Sequence, residues 1–503
     1  MKKTFTKVIA LALCTMLFAA VPFGVSAHAD NSYTYNYDYW GEFTDSPDAY
    51  AVGAVITAAD LGIETNFSKP QSVAVFDDIV YVCDTGNNRI VLLERVGETK
   101  FKVIKEVTEI TGNELNTFNG PTDVAVSEDG NIFVADKGNK RILKLDSNWN
   151  YLMQFDKPDD ASLADSSENF DFAPSKIVVD TAERVYCVAD NVNKGLIKYE
   201  NDGTFSGFVG ATPVTYNFWD WFWKHFASQE QIEKMANFVP TQYDNLYMDN
   251  EGFIYVCTSK PTEEDIKSEA STVVRKLNLL GNDILVRNGS YAIYGDLYMG
   301  TGGKKTGPSR FCDITTLYND IYICLDRNRG RLFGYDDQGH LVFAFGGTGN
   351  MDGYFNSAVS IDHIGKDLLV LDENDGAITL FVTTEYGRLI YDAVDQFDLG
   401  EYDKAEASWR TVMQLNGNYD LAYIGIGRSL LRQKKYEEAM EYFKLKHDAE
   451  NYSKAFKQYR KQWVEDHIVV IVVVILILFL VPMGIGRLKR VKHEIDTADI
   501  FQV

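Results

Sequence analysis

One stretch of this chain returns with a period of roughly fifty residues, and a period of that size means a supersecondary unit repeated, not a single irregular core. Around Pro70 the chain reads KPQSVAVFDDIVYVCDTGNNRIVLLE, and around Pro121 it reads GPTDVAVSEDGNIFVADKGNKRILKLD. Further copies begin near Pro174, Leu246 and Pro308, and a sixth centres on Asp372. Each copy alternates apolar and polar residues in two short runs divided by a turn, then resumes the alternation after a second turn, which is strand chemistry. In that second turn Asp84 and Asn87 can bond their own backbone, and Gly86 can supply a positive φ without steric cost. Arg89 and an isoleucine follow, and Asp136, Gly138, Asn139 and Arg141 repeat the arrangement. Asp190, Asp326 and Asp372 hold the equivalent place in later copies.

The segment Asp-x-Gly-Asn-x-Arg-Ile, recurring in register behind a Pro-containing strand, resembles the NHL repeat family. The first two copies match nearly throughout, the fifth and sixth in part, the third and fourth loosely. The resemblance covers residues 50–385 and implies a mainly β fold: a six-bladed propeller of four-stranded blades around a central channel. A ring of carboxylates such as Asp84, Asp136, Asp190, Asp326 and Asp372 could hold a cation. Recurrence in nearly every copy favours a role in the turn, because a site needs its residues in few copies.

The two ends of the chain carry targeting signals. Lys2, Lys3 and Lys7 precede an apolar run that ends in Val25, Ser26 and Ala27, so residues 1–27 read as a secretory signal. Ile468 to Ile485 are free of charge, and residues 463–486 read as a transmembrane helix. Arg487, Lys489, Arg490 and Lys492 lie on its far side and Glu465 and Asp466 on its near side, so residues 487–503 are expected in the cytoplasm and the bulk of the chain outside. The net charge of −23 makes a poor nucleic-acid binder. Five cysteines remain beyond the signal, without metal spacing, and read as free thiols, with Cys312 and Cys324 the one pair to test for a disulfide.

Three segments depart from the repeat. An insertion at residues 212–242 holds Trp219, Trp221, Phe222, Trp223 and Phe226, a candidate interaction surface if exposed and a packed insertion if not. Residues 28–49 place Tyr33, Tyr35, Tyr37 and Tyr39 on one strand face, which could stack on sugars or cover a blade edge. From residue 388 to 462 the period turns helical. There Tyr402, Ala405 and Trp409 recur as Tyr436, Ala439 and Phe443 at a spacing of 34, which resembles two tetratricopeptide units.

Three histidines, His225, His340 and His363, fall within the repeat region, none on a recognised ligand motif, and neither GxSxG nor HExxH occurs. No metal or other cofactor is expected on these grounds. The sequence therefore points away from catalysis and toward a non-enzymatic interaction scaffold on the outer face of a plasma membrane. Chains of this design resemble ectoproteins of Gram-positive bacteria associated with carbohydrate ABC transporters, which implies a permease or its solute-binding protein as partner. The competing readings are a propeller hydrolase, lactonase or lyase, and a carbohydrate or cell-wall receptor.

Overall fold

The computed structural model describes residues 34–158, 172–190, 192–210, 242–258, 273–297, 307–317 and 320–498. Residues 1–27, expected as a secretory signal, Tyr33 and the aromatic insertion with Trp219, Trp221, Phe222, Trp223 and Phe226 lie outside the described residues. The chain divides into two compact units, Met1–Tyr391 and Asp392–Val503.

The first unit is a six-bladed β-propeller. Blade one runs outward through Ser72–Phe76, Ile79–Asp84, Arg89–Arg95 and Phe101–Val107, each strand antiparallel to the one before. Blades two and three repeat this with inner strands Pro121–Val126 and Pro174–Val179, and blade four shows three strands among the described residues, beginning at Tyr243–Met248. Blades five and six start from Phe311–Thr316 and Ala358–Ile364. Each inner strand lies against those of its two neighbouring blades, and the inner strand of blade six lies against that of blade one.

A circular array must close on itself, and here the N-terminal segment closes it. Tyr50–Thr57 forms the outer strand of blade six, paired with Ala377–Thr383. Thr34–Tyr37 pairs with the outer strand of blade five, Leu341–Gly346, and with Phe43–Asp45, which extends that sheet to six strands. The tyrosine face turns inward. Tyr35 is buried, its hydroxyl donates to Asp296 Oδ1 at 2.5 Å, and the Tyr37 hydroxyl donates to the same oxygen at 2.9 Å. Arg331 Nη1 donates to Asp296 Oδ2 at 2.5 Å and completes the cluster. Of the two readings of this face the structure shows the cover of a blade edge: strand pairing and these bonds bury Tyr35 and most of Tyr37, and only Tyr39 of the described three is exposed.

The recurring turn is built differently from the local turn expected. Asp84 does not cap its own turn; it accepts the Ser68 N–H at 2.7 Å, Asn87 Nδ2 at 2.8 Å and Arg89 Nε at 2.7 Å. Asp136 does the same with Asn119 N–H, Asn139 and Arg141 at 2.8, 2.8 and 2.9 Å. The left-handed residues are Asn88 and Lys140, with φ of 53° and 58°. Gly86 is required for a different reason: a Cβ there would stand 2.5 Å from Ser68 Oγ and 2.6 Å from the Ser68 carbonyl oxygen. Asp372 accepts the Asn356 and Ser357 N–H groups at 2.7 and 2.8 Å, Asp326 accepts the Arg310 N–H at 3.0 Å, and Asp190 pairs instead with Lys137 at 2.7 Å. The five described cysteines are free, Cys312 and Cys324 among them.

The helices are α1 (Glu385–Asp398), α2 (Tyr402–Leu415), α3 (Asp420–Arg432), α4 (Tyr436–Leu445) and α5 (Ala449–Ala498). Within the second unit α2, α3, α4 and α5 pack in chain order. Gly425 and Gly427 let this happen, because a Cβ at either would run into the indole of Trp409 or the ring of Phe443. Ala405 and Ala439 are fully buried beside them, while Tyr402 and Tyr436 are half-buried. The helix α5 contains an apolar stretch long enough to cross a membrane.

Candidate functional site

Side chains alternate along a strand, so every second residue of an inner strand faces the propeller axis. At the first such level stand Ser72, Asp123, Lys176, Asn245, Asp313 and Ser360, one from each blade. In blades two to six the pairing with the second strand shifts register immediately before this residue, at Thr122, Ser175, Asp244, Cys312 and Val359. A bulge of this kind bends the strand and re-aims the side chain that follows.

The six residues bond to one another and close the channel floor. Ser72 donates its hydroxyl to Asp123 Oδ1 at 2.6 Å, and Asp123 Oδ2 accepts the Ile177 N–H at 2.8 Å. Lys176 Nζ lies 3.8 Å from Asp123 Oδ1 and 3.8 Å from Asp313 Oδ2, bridging blades two, three and five. Asp313 also accepts from the Asn245 amide and from the Ile361 N–H, the latter at 2.8 Å. Ser360 Oγ accepts the Val73 N–H at 3.1 Å and ties blade six to blade one.

Burial pushes the Asp123 and Asp313 carboxyls above the ordinary range, and the single nearby ammonium only partly opposes it. For Lys176 burial pulls the pKa down, but two carboxylates outweigh it and the group ends raised. One cation shared by two acids leaves the trio with an excess negative charge.

Beyond the floor a cavity of about 380 Å³ opens toward the turns that join inner and second strands. Its walls differ. Blades one to three offer Ala74, Ala125 and Val178, while blades four and six offer Tyr247 and Asp362. Between the latter two, in blade five, is the buried Thr315. Asp362 Oδ2 accepts the Val75 N–H at 2.7 Å, and Asp362 Oδ1 accepts the Thr315 hydroxyl at 3.1 Å. Tyr247 contacts Thr315 and Thr316 through its hydroxyl; burial first, then Asp362, drives its pKa far up, so the phenol keeps its proton. His363 lies in the hairpin that joins the first two strands of blade six, on the inner strand next to Asp362, with its Nδ1 2.9 Å from Thr315 Oγ1.

Among the described residues no three His, Cys, Asp or Glu side chains are grouped to hold a metal ion. None of the floor or wall residues belonged to the sequence-derived candidates. A usable signal existed: in the first three copies the floor residue stands two positions after the recurring proline, at Ser72, Asp123 and Lys176.

Comparison with known proteins finds NHL repeats in two of the blades and similarity to a lyase over part of the chain. The family described as NHL repeat matches residues 67–91 and 118–145, in blades one and two. The probable peptidyl-alpha-hydroxyglycine alpha-amidating lyase pgal-1 of Caenorhabditis elegans is 29% identical over 117 residues, 23% of this chain and 31% of that protein. The chain thus spans about a third of the length of the curated relative it matches. Among solved structures, virginiamycin B lyase from Staphylococcus aureus aligns at 9% identity and a TM-score of 0.39, covering 67% of this chain and 100% of that one. Kuenenia stuttgartiensis hydrazine synthase aligns at 11% identity and a TM-score of 0.37, covering 64% of this chain and 97% of that one. The match to the Caenorhabditis elegans lyase overturns the expectation that the chain is no enzyme. That expectation rested on missing motifs, and a site assembled from one residue per blade leaves no linear motif to find.

Proposed function

We propose that the chain is a membrane-anchored propeller lyase whose active site is the channel above the six-residue floor. The observation that carries this reading is the pairing of Tyr247, a phenol holding its proton, with the Asp362 carboxylate in the wall of a partly enclosed cavity, the two joined through the buried Thr315. A carbon–nitrogen lyase acting on an N–C–OH substrate needs these two groups. Asp362 takes the hydroxyl proton, the carbon–oxygen bond becomes a carbonyl, the carbon–nitrogen bond breaks, and the departing nitrogen takes the Tyr247 proton. Thr315, in contact with both side chains, can return the proton from Asp362 to Tyr247. The similarity to an amidating lyase supports the reaction class. The charge flanks of the apolar helix support an outward-facing propeller.

The test uses full-length protein in detergent with the uncharged substrate N-benzoyl-α-hydroxyglycinamide, following benzamide release by chromatography. Tyr247→Phe and Asp362→Asn should each slow release by about 10²–10⁴-fold, as loss of a positioned acid or base does, with little change in melting temperature. Wild-type protein that releases benzamide no faster than the double variant would sink the reading.

A further inference from the structure

We propose that the channel takes a small amine: a protonated nitrogen on a compact apolar body. This ligand is additional to the uncharged substrate proposed above, and the inference rests on the reading of the channel as the working site. The argument begins with charge. On the floor Lys176 is shared between Asp123 and Asp313 at 3.8 Å each, so that trio is net negative. One level up, Asp362 is 6% exposed and accepts the Val75 N–H at 2.7 Å; His363 Nδ1 lies 3.3 Å from its Oδ1, and no lysine or arginine among the described residues pairs with it. At the mouth Arg184 is held by Asp180 at 2.7 Å and Lys276 by Asp249 at 3.2 Å, which leaves the exposed Glu128 and Glu251 without an ion pair among the described residues. Both lysine and arginine charges near the channel are spent on partners. Low-dielectric walls concentrate the remaining negative potential inside, where an anion is repelled and a cation drawn in.

The second observation separates an ammonium from a bare metal ion. Calcium needs six to eight oxygens at about 2.3–2.6 Å. Here the carboxylates are already committed to backbone N–H groups from Ile177, Ile361 and Val75 at 2.8, 2.8 and 2.7 Å, and they stand on different blades. An ammonium asks for less, because it donates single hydrogen bonds to oxygens that keep their other partners. The opposite wall decides the remainder of the molecule. Ala74, Ala125 and Val178 offer no hydrogen bond, so the part of the ligand lying there is apolar and short enough for a cavity of about 380 Å³.

Three probes that share one ring test this by calorimetry on the full-length protein in nanodiscs: cyclohexylamine, cyclohexanol and cyclohexanecarboxylate. The expected result is saturable binding of the amine, at least ten-fold tighter than the alcohol, with no detectable binding of the carboxylate. Asp362→Asn should weaken the amine about ten-fold, and added salt should weaken it further. An alcohol or carboxylate that binds as well as the amine overturns the charge inference and leaves the channel reading standing. Ala74→Phe narrows the channel, and Val178→Phe serves if that variant does not fold. Amine binding that is unchanged in the narrowed protein overturns the channel reading itself, and no saturable binding by any of the three probes overturns the amine inference.

Discussion

The recurring turn and the channel floor occupy equivalent places in the blades, yet they are built on opposite rules. In blades one and two the turn is the same aspartate and arginine, Asp84 with Arg89 at 2.7 Å and Asp136 with Arg141 at 2.9 Å, and both aspartates are fully buried. Their partners lie within the blade or in the loop leading into it. The floor changes from blade to blade, through Ser72, Asp123, Lys176, Asn245, Asp313 and Ser360, and its partners lie in other blades. A residue that every copy repeats answers a demand of the copy. A residue that differs in each copy answers a demand of the assembled ring.

The largest expected effect tests the repeated half of this contrast. Asp136→Ala would leave Arg141, 4% exposed at its side chain, as a buried cation without its carboxylate. Breaking a buried pair from one side costs about 3–5 kcal/mol. Denaturant unfolding should register that loss, while amine affinity per folded molecule stays within two-fold of wild type. A loss below about 1 kcal/mol would mean the turn is not what holds the blade, contrary to its burial.

The floor should respond less and with a pH signature. Lys176→Met removes the ammonium that opposes the raised Asp123 and Asp313 carboxyls. A carboxyl whose folded pKa lies above its unfolded value of about 3.9 favours folding while protonated, and that advantage is lost as pH rises through the folded pKa. The variant should therefore be about 2 kcal/mol less stable than wild type near neutral pH and recover much of the difference near pH 4. Urea midpoints at the two pH values measure it. A deficit equal at both would show that packing of the lysine stem, not its charge, is what the floor uses.

The propeller itself was legible because its determinants are local and repeated. Alternation marks each strand, and the aspartate marks five of the six blades. The floor was not, since it depends on a bulged residue such as Ser175 or Asp244 ahead of each axis-facing side chain, and a one-residue register shift leaves no trace in a period-two pattern. Ring closure was hidden for another reason: Tyr50–Thr57 pairs with Ala377–Thr383 across most of the chain. Gly86 was singled out for the right turn but the wrong cause, because backbone approach from Ser68 depends on a neighbouring loop.

The smallest effect sharpens the contrast most. Ser360 is small and neutral, yet its Oγ accepts the Val73 N–H at 3.1 Å and donates to the Val73 carbonyl at 3.3 Å, where the last blade meets the first. Ser360→Ala removes both bonds and leaves a buried N–H unpaired, a cost of about 1–2 kcal/mol. Hydrogen exchange at Val73 should accelerate, while protection of the blade-two turn at Asp136 stays as in wild type. Such a local response would place the cost of a floor residue at the seam between blades. An equal loss of protection at Asp136 would instead make the floor part of the same cooperative unit as the turns, and the division between repeated and unrepeated residues would no longer separate stability from ring assembly.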